Sequence, residues 1–396
     1  MKKIHLALIC LLCVILCMAG CASSRNAGSE EVKTLSAREM KSKYSIKTTA
    51  RDTKVIIDGD FQTLNDDTYA LFTLLKADEL GFLDLLGITT VGGNTLIAGA
   101  AYDVLNQLER VDRADVPVYL GYDIPLTGFK DQDKLQNTIG KMGYLGAYRF
   151  IDQYTTDYKK AKELGISVSP LPDPVTEPRT DMDAVDFMIS QVHKYPGKVW
   201  ILSLGAPTNV AKAVMKDPTF AQDAAGIFYM GGVYEASGEE LKNIEINFWY
   251  DPDATNICLA APWKAQRIIS HDAATTCTKG ADSYRMFKEK QGTEINKYIV
   301  ESLAPIYENG KEEALLFCWD PMVPACLLCP DLIETVKEKY IWVDTREGKT
   351  YANIFSWDAA QAPADVYGPC EVILKVNRDR FWEFTSDMYN SSAKPQ

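Results

Sequence analysis

Three features that would point to common classes of protein are scarce or missing in this chain of 396 residues. The net charge is −12 and no block of Lys and Arg occurs, so nucleic acid is not an expected partner, because phosphates require clustered cations. Beyond the first 21 residues, no apolar run is long enough to cross a membrane. No Cys or His cluster has zinc spacing, and Cys326 and Cys329, within an apolar run, are expected to be buried core thiols.

The N-terminus has the pattern of an exported lipoprotein. Two lysines precede an apolar run that extends to Met18, and Met-Ala-Gly directly before Cys21 resembles a bacterial lipobox. Residues 1–21 are therefore predicted to be a lipoprotein signal peptide, with lipid on Cys21 as the only membrane attachment. An ordinary signal peptide or a transmembrane anchor is the alternative. Residues 22–50, rich in Ser, Lys and Glu, are predicted to be a flexible tether, and residues 51–396 one large domain.

Strand and helix patterns alternate along the rest of the chain. Val55 to Ile57 and Leu85 to Val91 predict buried strands, and each is followed by residues with helical spacing. This alternation indicates an α/β fold with a doubly wound, mostly parallel sheet and flanking helices. The irregular segment from Phe129 to Pro178 is interpreted as an active-site flap and a surface connection, or equally as an insertion without function.

Four carboxylates follow the first predicted strand within ten residues: Asp58, Asp60, Asp66 and Asp67. Ligands of open α/β sheets bind at the carboxyl ends of the strands. Carboxylates this close repel one another, and a hard cation with oxygen ligands relieves that repulsion. The cluster therefore predicts a metal or polyol site. Capping of the next helix by Asn65 or Asp66 would account for only one of the four acids.

Four later blocks resemble the calcium-dependent nucleoside hydrolases, the inosine-uridine-preferring N-ribohydrolase family. In chain order they are LLGITTVGGN from Leu85, LSLGAPTNVAKA from Leu202, MGG from Met230 with EINFWYDPDAT from Glu245, and WDPMVPA from Trp319. The resemblance extends over about residues 54–388. Members of this family hydrolyse the N-glycosidic bond of ribonucleosides to ribose and free base.

The resemblance implies a role for each motif residue. Asp60 would bind Ca²⁺ and act as the general base on a calcium-bound water. Asp67 and Asp320 would be further carboxylate ligands, and Leu204 would contribute its backbone carbonyl. The ribose hydroxyls would be held by four polar side chains, those of Asp66, Asn94, Glu245 and Asn247.

The chain departs from the family pattern in two places. The opening motif of the family, D-x-D-P-G-x-D-D, here carries the five residues 61–65 instead of Pro-Gly-x and is two residues longer. Trp319 stands where the family often has a His that activates the leaving base. A Trp-Asp pair at this point resembles the purine-preferring branch, so Trp319 is expected to stack on a purine, with Tyr144 or Tyr148 as a second aromatic wall.

These observations predict a lipid-anchored, calcium-dependent N-ribohydrolase with a suspected preference for purine nucleosides. It would lie in the bacterial cell envelope, on the outer side of the cytoplasmic membrane or in the outer membrane, and could form a homodimer or homotetramer as relatives often do. Two alternatives stay open: a glycosidase for another ribosylated or sugar compound, and a non-catalytic lipoprotein that binds sugars or nucleosides. Retention of the metal-binding acids favours an enzyme.

The predicted lipid attachment is tested by Cys21→Ser in the full chain. The variant should lose incorporation of labelled fatty acid and leave the membrane fraction, because the acceptor thiol is gone. Cys17→Ser, in the same segment, is the matched control and should keep both properties. A Cys21→Ser protein that still sediments with membranes would instead support a transmembrane anchor.

Overall fold

A nine-stranded sheet runs through the part of the chain that the structure, a computed structural model, describes: residues 34–235, 241–309 and 318–393. The predicted signal peptide and Cys21 lie outside these residues. The strands are β1 (Lys54–Gly59), β2 (Asp84–Thr90), β3 (Val118–Leu120), β4 (Val199–Ser203), β5 (Gly226–Met230), β6 (Gln266–Ile269), β7 (Ile333–Val343), β8 (Ile354–Trp357) and β9 (Tyr367–Val376).

Helices connect the strands and cover the sheet. Among the described residues they are α1 (Ala37–Tyr44), α2 (Asp66–Glu79), α3 (Ile97–Arg110), α4 (Gln132–Ile139), α5 (Ala184–Lys194), α6 (Thr208–Lys216), α7 (Phe220–Asp223), α8 (Ile246–Tyr250), α9 (Pro252–Ala260), α10 (His271–Thr276), α11 (Ala281–Lys288), α12 (Glu294–Tyr307), α13 (Met322–Leu328) and α14 (Arg378–Tyr389). Short 3-10 helices lie at Gly146–Gln153, Tyr158–Lys160 and Pro330–Leu332.

The strand order is β3-β2-β1-β4-β5-β6-β9-β7-β8. All neighbours from β3 to β9 are parallel, and the pairs β9–β7 and β7–β8 are antiparallel. The chain extends the sheet in one direction from β1 through β2 and β3, and in the other from β4 onward. This reversal is the topological switch point, where α/β sheets open a crevice for ligands. The predicted α/β class and mostly parallel sheet are confirmed.

Both faces of the sheet are buried, which explains the apolar run in β1. Val55 and Ile57 pack in a core with side chains of α2, α3, α12, α13 and α14. Ile56, whose side chain points to the opposite face, packs with α5, α6 and α9. A strand covered on both sides needs apolar residues at successive positions rather than at alternate ones.

The prediction of a flexible tether up to residue 50 is wrong for the residues that the structure describes. Helix α1 lies within the predicted tether, with Ser36 as its N-cap and Glu39 completing a capping box. Met40 and Tyr44 are buried, and the Tyr44 hydroxyl donates to Asp387 at 2.7 Å. The described residues from Thr34 onward accordingly form one compact unit.

Two further expectations concern membranes and thiols. None of the helices in the described ranges combines the length and apolarity that a membrane span requires. Cys326 and Cys329 are fully buried, as predicted, and form no disulfide.

The contribution of α1 to stability is tested by Met40→Ala. Removing this buried side chain should lower the free energy of unfolding by about 2–5 kcal/mol, since a cavity is left in the core. Arg38→Ala, on the exposed side of the same helix, is the control and should change it by less than about 0.5 kcal/mol. Urea unfolding measures both. Equal, small effects would show that α1 is not part of the stable core.

Candidate functional site

A cavity of about 340 Å³ opens at the carboxyl ends of the central strands. It is lined by Gln62, Asn65, Asp66, Asn94, Tyr144, Leu204, Met230, Glu245, Ile246, Asn247, Trp319 and Asp320. Seven of the nine residues predicted for the site are in this lining. The other two, Asp60 and Asp67, are almost fully buried and hydrogen-bonded to the lining residues Asn94 and Asn65 respectively.

The longer first loop brings its two ends together instead of separating the acids. Phe61 is fully buried, and Leu64 adopts a left-handed backbone with φ of 50°. Asn65 then caps α2 by accepting from the Thr68 backbone N–H, and its Nδ2 donates to Asp67 Oδ2 at 2.6 Å. Phe61 therefore packs in the core and Asp67 returns to the end of β1, while Gln62 and Asn65 of the longer loop line the cavity.

Three of the acids converge closely enough to share an ion, and this group contains Asp66 rather than the predicted ligand Asp60. One carboxylate oxygen from each of Asp66, Asp67 and Asp320 lies within 4.8 Å of the others. The second oxygen of Asp67, Oδ1, is buried and accepts no hydrogen bond. A Cβ on Gly59 would stand 2.5 Å from that oxygen, so the strand approaches the acid as closely as glycine permits. A buried, unsatisfied anionic oxygen is costly unless a cation accompanies it.

Burial dominates the electrostatics of the cluster. It raises the pKa of Asp60 to about 7 and that of Asp66 to about 6. Burial and the neighbouring carboxylates raise the pKa values of Asp67 and Asp320 well above the ordinary range. Negative charges in a dry, shared space disfavour one another's ionisation, which is the condition that a divalent cation reverses.

Asn94 holds the Asp60 carboxylate with two hydrogen bonds. Asp60 Oδ2 accepts from the backbone N–H of Asn94 at 2.5 Å, and Asp60 Oδ1 accepts from Asn94 Nδ2 at 3.2 Å. The backbone must pass very close for this: a Cβ on Gly93 would lie 2.0 Å from Asp60 Oδ2. Glycine is therefore required sterically at position 93 of the Gly-Gly-Asn sequence after β2.

Leu204 follows β4 and lines the cavity, and its backbone carbonyl is hydrogen-bonded. The carbonyl oxygen accepts from Asn247 Nδ2 at 2.7 Å. Glu245, the N-cap of α8, accepts from the backbone N–H groups of Asn247, Gly232 and Phe248 at 2.8, 2.9 and 3.1 Å. Buried donors thus fix the Glu245 carboxylate against the cavity, and burial raises its pKa.

Aromatic rings form part of the wall. Trp319 lies beside Asp320, and the ring centroid of His271 is 6.4 Å behind it with the planes inclined by 25°. Tyr144 also lines the cavity, whereas Tyr148 is buried against Trp249 and Tyr250. Of the two tyrosines weighed for the second wall, Tyr144 is therefore the one in position.

Comparison with known proteins identifies one family whose sequence profile covers most of the chain. The profile described as "Inosine-uridine preferring nucleoside hydrolase" matches residues 55–383. The chain belongs to this family.

Individual relatives within the family differ in their named substrates. The probable uridine nucleosidase 1 of Oryza sativa subsp. japonica is 32% identical over 204 residues, which are 52% of this chain and 54% of that protein. The chain therefore spans about half the length of this curated relative. The pyrimidine-specific ribonucleoside hydrolase RihA of Salmonella newport is 27% identical over 289 residues, 71% of this chain and 82% of that protein. A solved purine-preferring ribonucleoside hydrolase from Gardnerella vaginalis superposes with a TM-score of 0.66 at 22% identity, covering 85% and 98% of the two chains, and so shares the fold.

Several residues of this nucleoside hydrolase fold were not predicted for the site. Gln62, Met230 and Ile246 line the cavity. Asn209 and Thr89 both donate to Asp58 Oδ1 at 2.7 Å, which holds this acid inside the sheet rather than in the cavity. Asn209 lies in the LGAPTNVA block, so the block itself was a signal. Gln62 lies in the five residues that differ from the family motif, so the sequence carried no signal that it would line the cavity.

The donor set fits the metal that the family implies. Carboxylates of Asp60, Asp67 and Asp320, the Leu204 carbonyl and Asp66 are all hard oxygen ligands, of the kind that Ca²⁺ prefers. The buried Oδ1 of Asp67, which accepts no hydrogen bond, would have the cation as its partner.

The raised pKa values predict how stability depends on pH. The folded protein binds protons on these acids that the unfolded chain, with Asp pKa values near about 3.9, has released. In chelator, the melting temperature should therefore fall as pH rises from about 5 to about 7.5. Adding Ca²⁺ at the higher pH should raise it again by several degrees, because the ion binds the ionised acids of the folded state.

Asp320→Asn provides the comparison in the same thermal assay. With one acid fewer, both the pH dependence and the response to Ca²⁺ should shrink. A native protein whose melting temperature ignores Ca²⁺ at every pH would rule out a calcium site at this cluster.

Proposed function

We propose that the protein hydrolyses the N-glycosidic bond of ribonucleosides, releasing ribose and the free base. One observation carries the proposal. A cavity of about 340 Å³, the size range of small-ligand pockets, has acids and amides at its base and an indole in its wall. Acids suit a polyhydroxylated sugar and a cation, while an aromatic ring suits a planar base.

The metal would be Ca²⁺, held by Asp60, Asp67, Asp320 and the Leu204 carbonyl. When bound, it supplies charge compensation for the acids and lowers the pKa of a coordinated water. The three carboxylates contribute the ligands, and the burial described above excludes competing solvent.

Asp60 acts as the general base. Without a cation, burial raises the pKa of Asp60 to about 7. A bound cation would lower that pKa and keep the carboxylate ionised, which is the form that accepts a proton from water. The two Asn94 donors keep its carboxylate in one orientation, so the same oxygen is always available to the attacking water.

Four side chains hold the ribose. Asp66, Asn94, Glu245 and Asn247 face the cavity and offer both donors and acceptors to the sugar hydroxyls. As the bond to the base lengthens, positive charge develops on the sugar ring, and the carboxylates beside it stabilise that charge.

We also propose a preference for purine nucleosides. The Trp319 indole presents a broad stacking surface, and Tyr144 stands in the wall of the same cavity. Indole is a poor proton donor, so stacking would raise the basicity of the purine and solvent would protonate the leaving base. Named relatives include both purine-preferring and pyrimidine-specific hydrolases, so the comparison of bases is a direct test.

The reaction would take place at the cell envelope, since the Met-Ala-Gly-Cys21 pattern supports a lipid anchor. Nucleosides outside the cytoplasmic membrane would be the substrates.

The activity is tested by incubating the protein with inosine, adenosine, guanosine, uridine and cytidine and assaying free ribose. Ribose release should require Ca²⁺, stop with chelator, and be faster from purine than from pyrimidine nucleosides. Release from pyrimidines alone would overturn the purine preference. No release from any nucleoside by a protein that still binds Ca²⁺ would sink the proposed reaction.

The role of Asp60 is tested by Asp60→Asn, which cannot accept the proton. The rate of ribose release should fall by about 10²–10⁴, the contribution typical of a general base. Asp52→Asn, a partly exposed acid just before β1, is the control and should keep the native rate. An Asp60→Asn enzyme that retains the native rate would show that another group is the base.

A further inference from the structure

The longer first loop and the flap meet at one residue, Asn94. From the loop, Gln62 Nε2 donates to the Asn94 carbonyl oxygen at 3.2 Å. From the flap, the Tyr144 hydroxyl donates to Asn94 Oδ1 at 3.0 Å. Two segments that are far apart in sequence thus hold the main chain and the side chain of the same residue.

The hydrogen bond from Tyr144 decides which way the Asn94 amide faces. An amide has an acceptor oxygen at one end and donor N–H groups at the other. With Oδ1 engaged by the phenol, Nδ2 must face Asp60, and it donates to Asp60 Oδ1 at 3.2 Å. The reversed amide would place an oxygen against the carboxylate, and the phenol would keep only its longer hydrogen bond, 3.4 Å, to the Asn94 carbonyl oxygen.

The Gln62 backbone and the Tyr144 ring are themselves anchored by neighbouring groups. The backbone carbonyl of Gln62 accepts from Gln107 Nε2 at 2.9 Å and from Thr68 Oγ1 at 3.0 Å. The Tyr144 ring lies under the Arg149 guanidinium, 5.0 Å from its centroid, a cation–π distance. A group anchored in this way can orient its neighbour without losing much conformational entropy itself.

We propose that Gln62 and Tyr144 are positioning residues for the hydrolysis reaction, which act through Asn94 to orient the Asp60 carboxylate. This inference rests on the proposed function, because it needs Asp60 to act in the reaction. Gln62 belongs to the five residues by which the opening motif departs from the family pattern. The added length therefore has a role: it supplies a support for the acid that follows β1.

Kinetics of conservative variants provide the first test. Tyr144→Phe keeps the ring but removes the donor, and Gln62→Met keeps the shape but removes the amide. Each should lower kcat for inosine about fivefold, the effect of one hydrogen bond, with KM changed by less than about twofold. Tyr154→Phe and Gln153→Met are matched controls on the exposed part of the flap and should match the native enzyme.

A double-mutant comparison separates positioning from general support of the fold. If both residues act through Asn94, their substitution should lower kcat by less than about twofold in an Asn94→Ala background. The same fivefold loss in both backgrounds would overturn the inference, since the effect would then bypass Asn94. Thermal unfolding of each variant verifies that the comparison is made between folded proteins.

Hydrogen exchange tests the contacts without any assay of activity. The Asn94 backbone N–H donates to Asp60, so the peptide spanning residues 93–95 should exchange faster in Tyr144→Phe and Gln62→Met than in the native protein. The two control variants should not differ from native. Unchanged exchange in both test variants would refute the inference whether or not nucleosides are hydrolysed. Faster exchange in the test variants, together with a native protein that hydrolyses no nucleoside, would count only against the proposed reaction.

Discussion

Carboxylates buried side by side impose the main constraint on this structure. Asp60, Asp66, Asp67 and Asp320 share one end of the sheet, and burial raises the pKa of each. Neighbouring side-chain amides donate hydrogen bonds to two of these carboxylates: Asn65 to Asp67 and Asn94 to Asp60. One oxygen of Asp67 still accepts nothing. The glycines on both sides of the cluster, the capping of α2 and the fixed orientation of Asn94 all become intelligible as ways of bringing these acids together around a cation.

The sheet explains why acids from distant parts of the chain meet. Asp60 follows β1 at the switch point, Leu204 follows β4 beside it, and Asp320 lies two residues before α13. Apolar runs and glycine-rich turns were enough to predict the α/β class, because strands buried on both faces leave a strong signal. The family motifs named seven of the twelve residues that line the cavity, since motif spacing preserves the ends of the strands even where the intervening loops differ.

Two parts could not be predicted, and for related physical reasons. Helix α1 has a polar composition, and its place in the fold depends on Met40 and Tyr44 meeting α14, more than 300 residues away. Composition alone therefore indicated a tether. The positions of Gln62 and Tyr144 likewise depend on a long-range meeting at Asn94. Local patterns report which residues are apolar or flexible, but they do not report which distant segment a polar side chain will bond.

The central claim, that these acids form a calcium site, is tested most directly by a crystal structure of the protein grown with Ca²⁺. The account predicts one ion bound by carboxylate oxygens of Asp60, Asp67 and Asp320 and by the Leu204 carbonyl, at about 2.3–2.6 Å. The Asn247 amide, which donates to that carbonyl at 2.7 Å, should then turn toward the sugar site. An ion bound elsewhere, or an empty cluster at saturating Ca²⁺ with the Asn247 bond intact, would contradict the account.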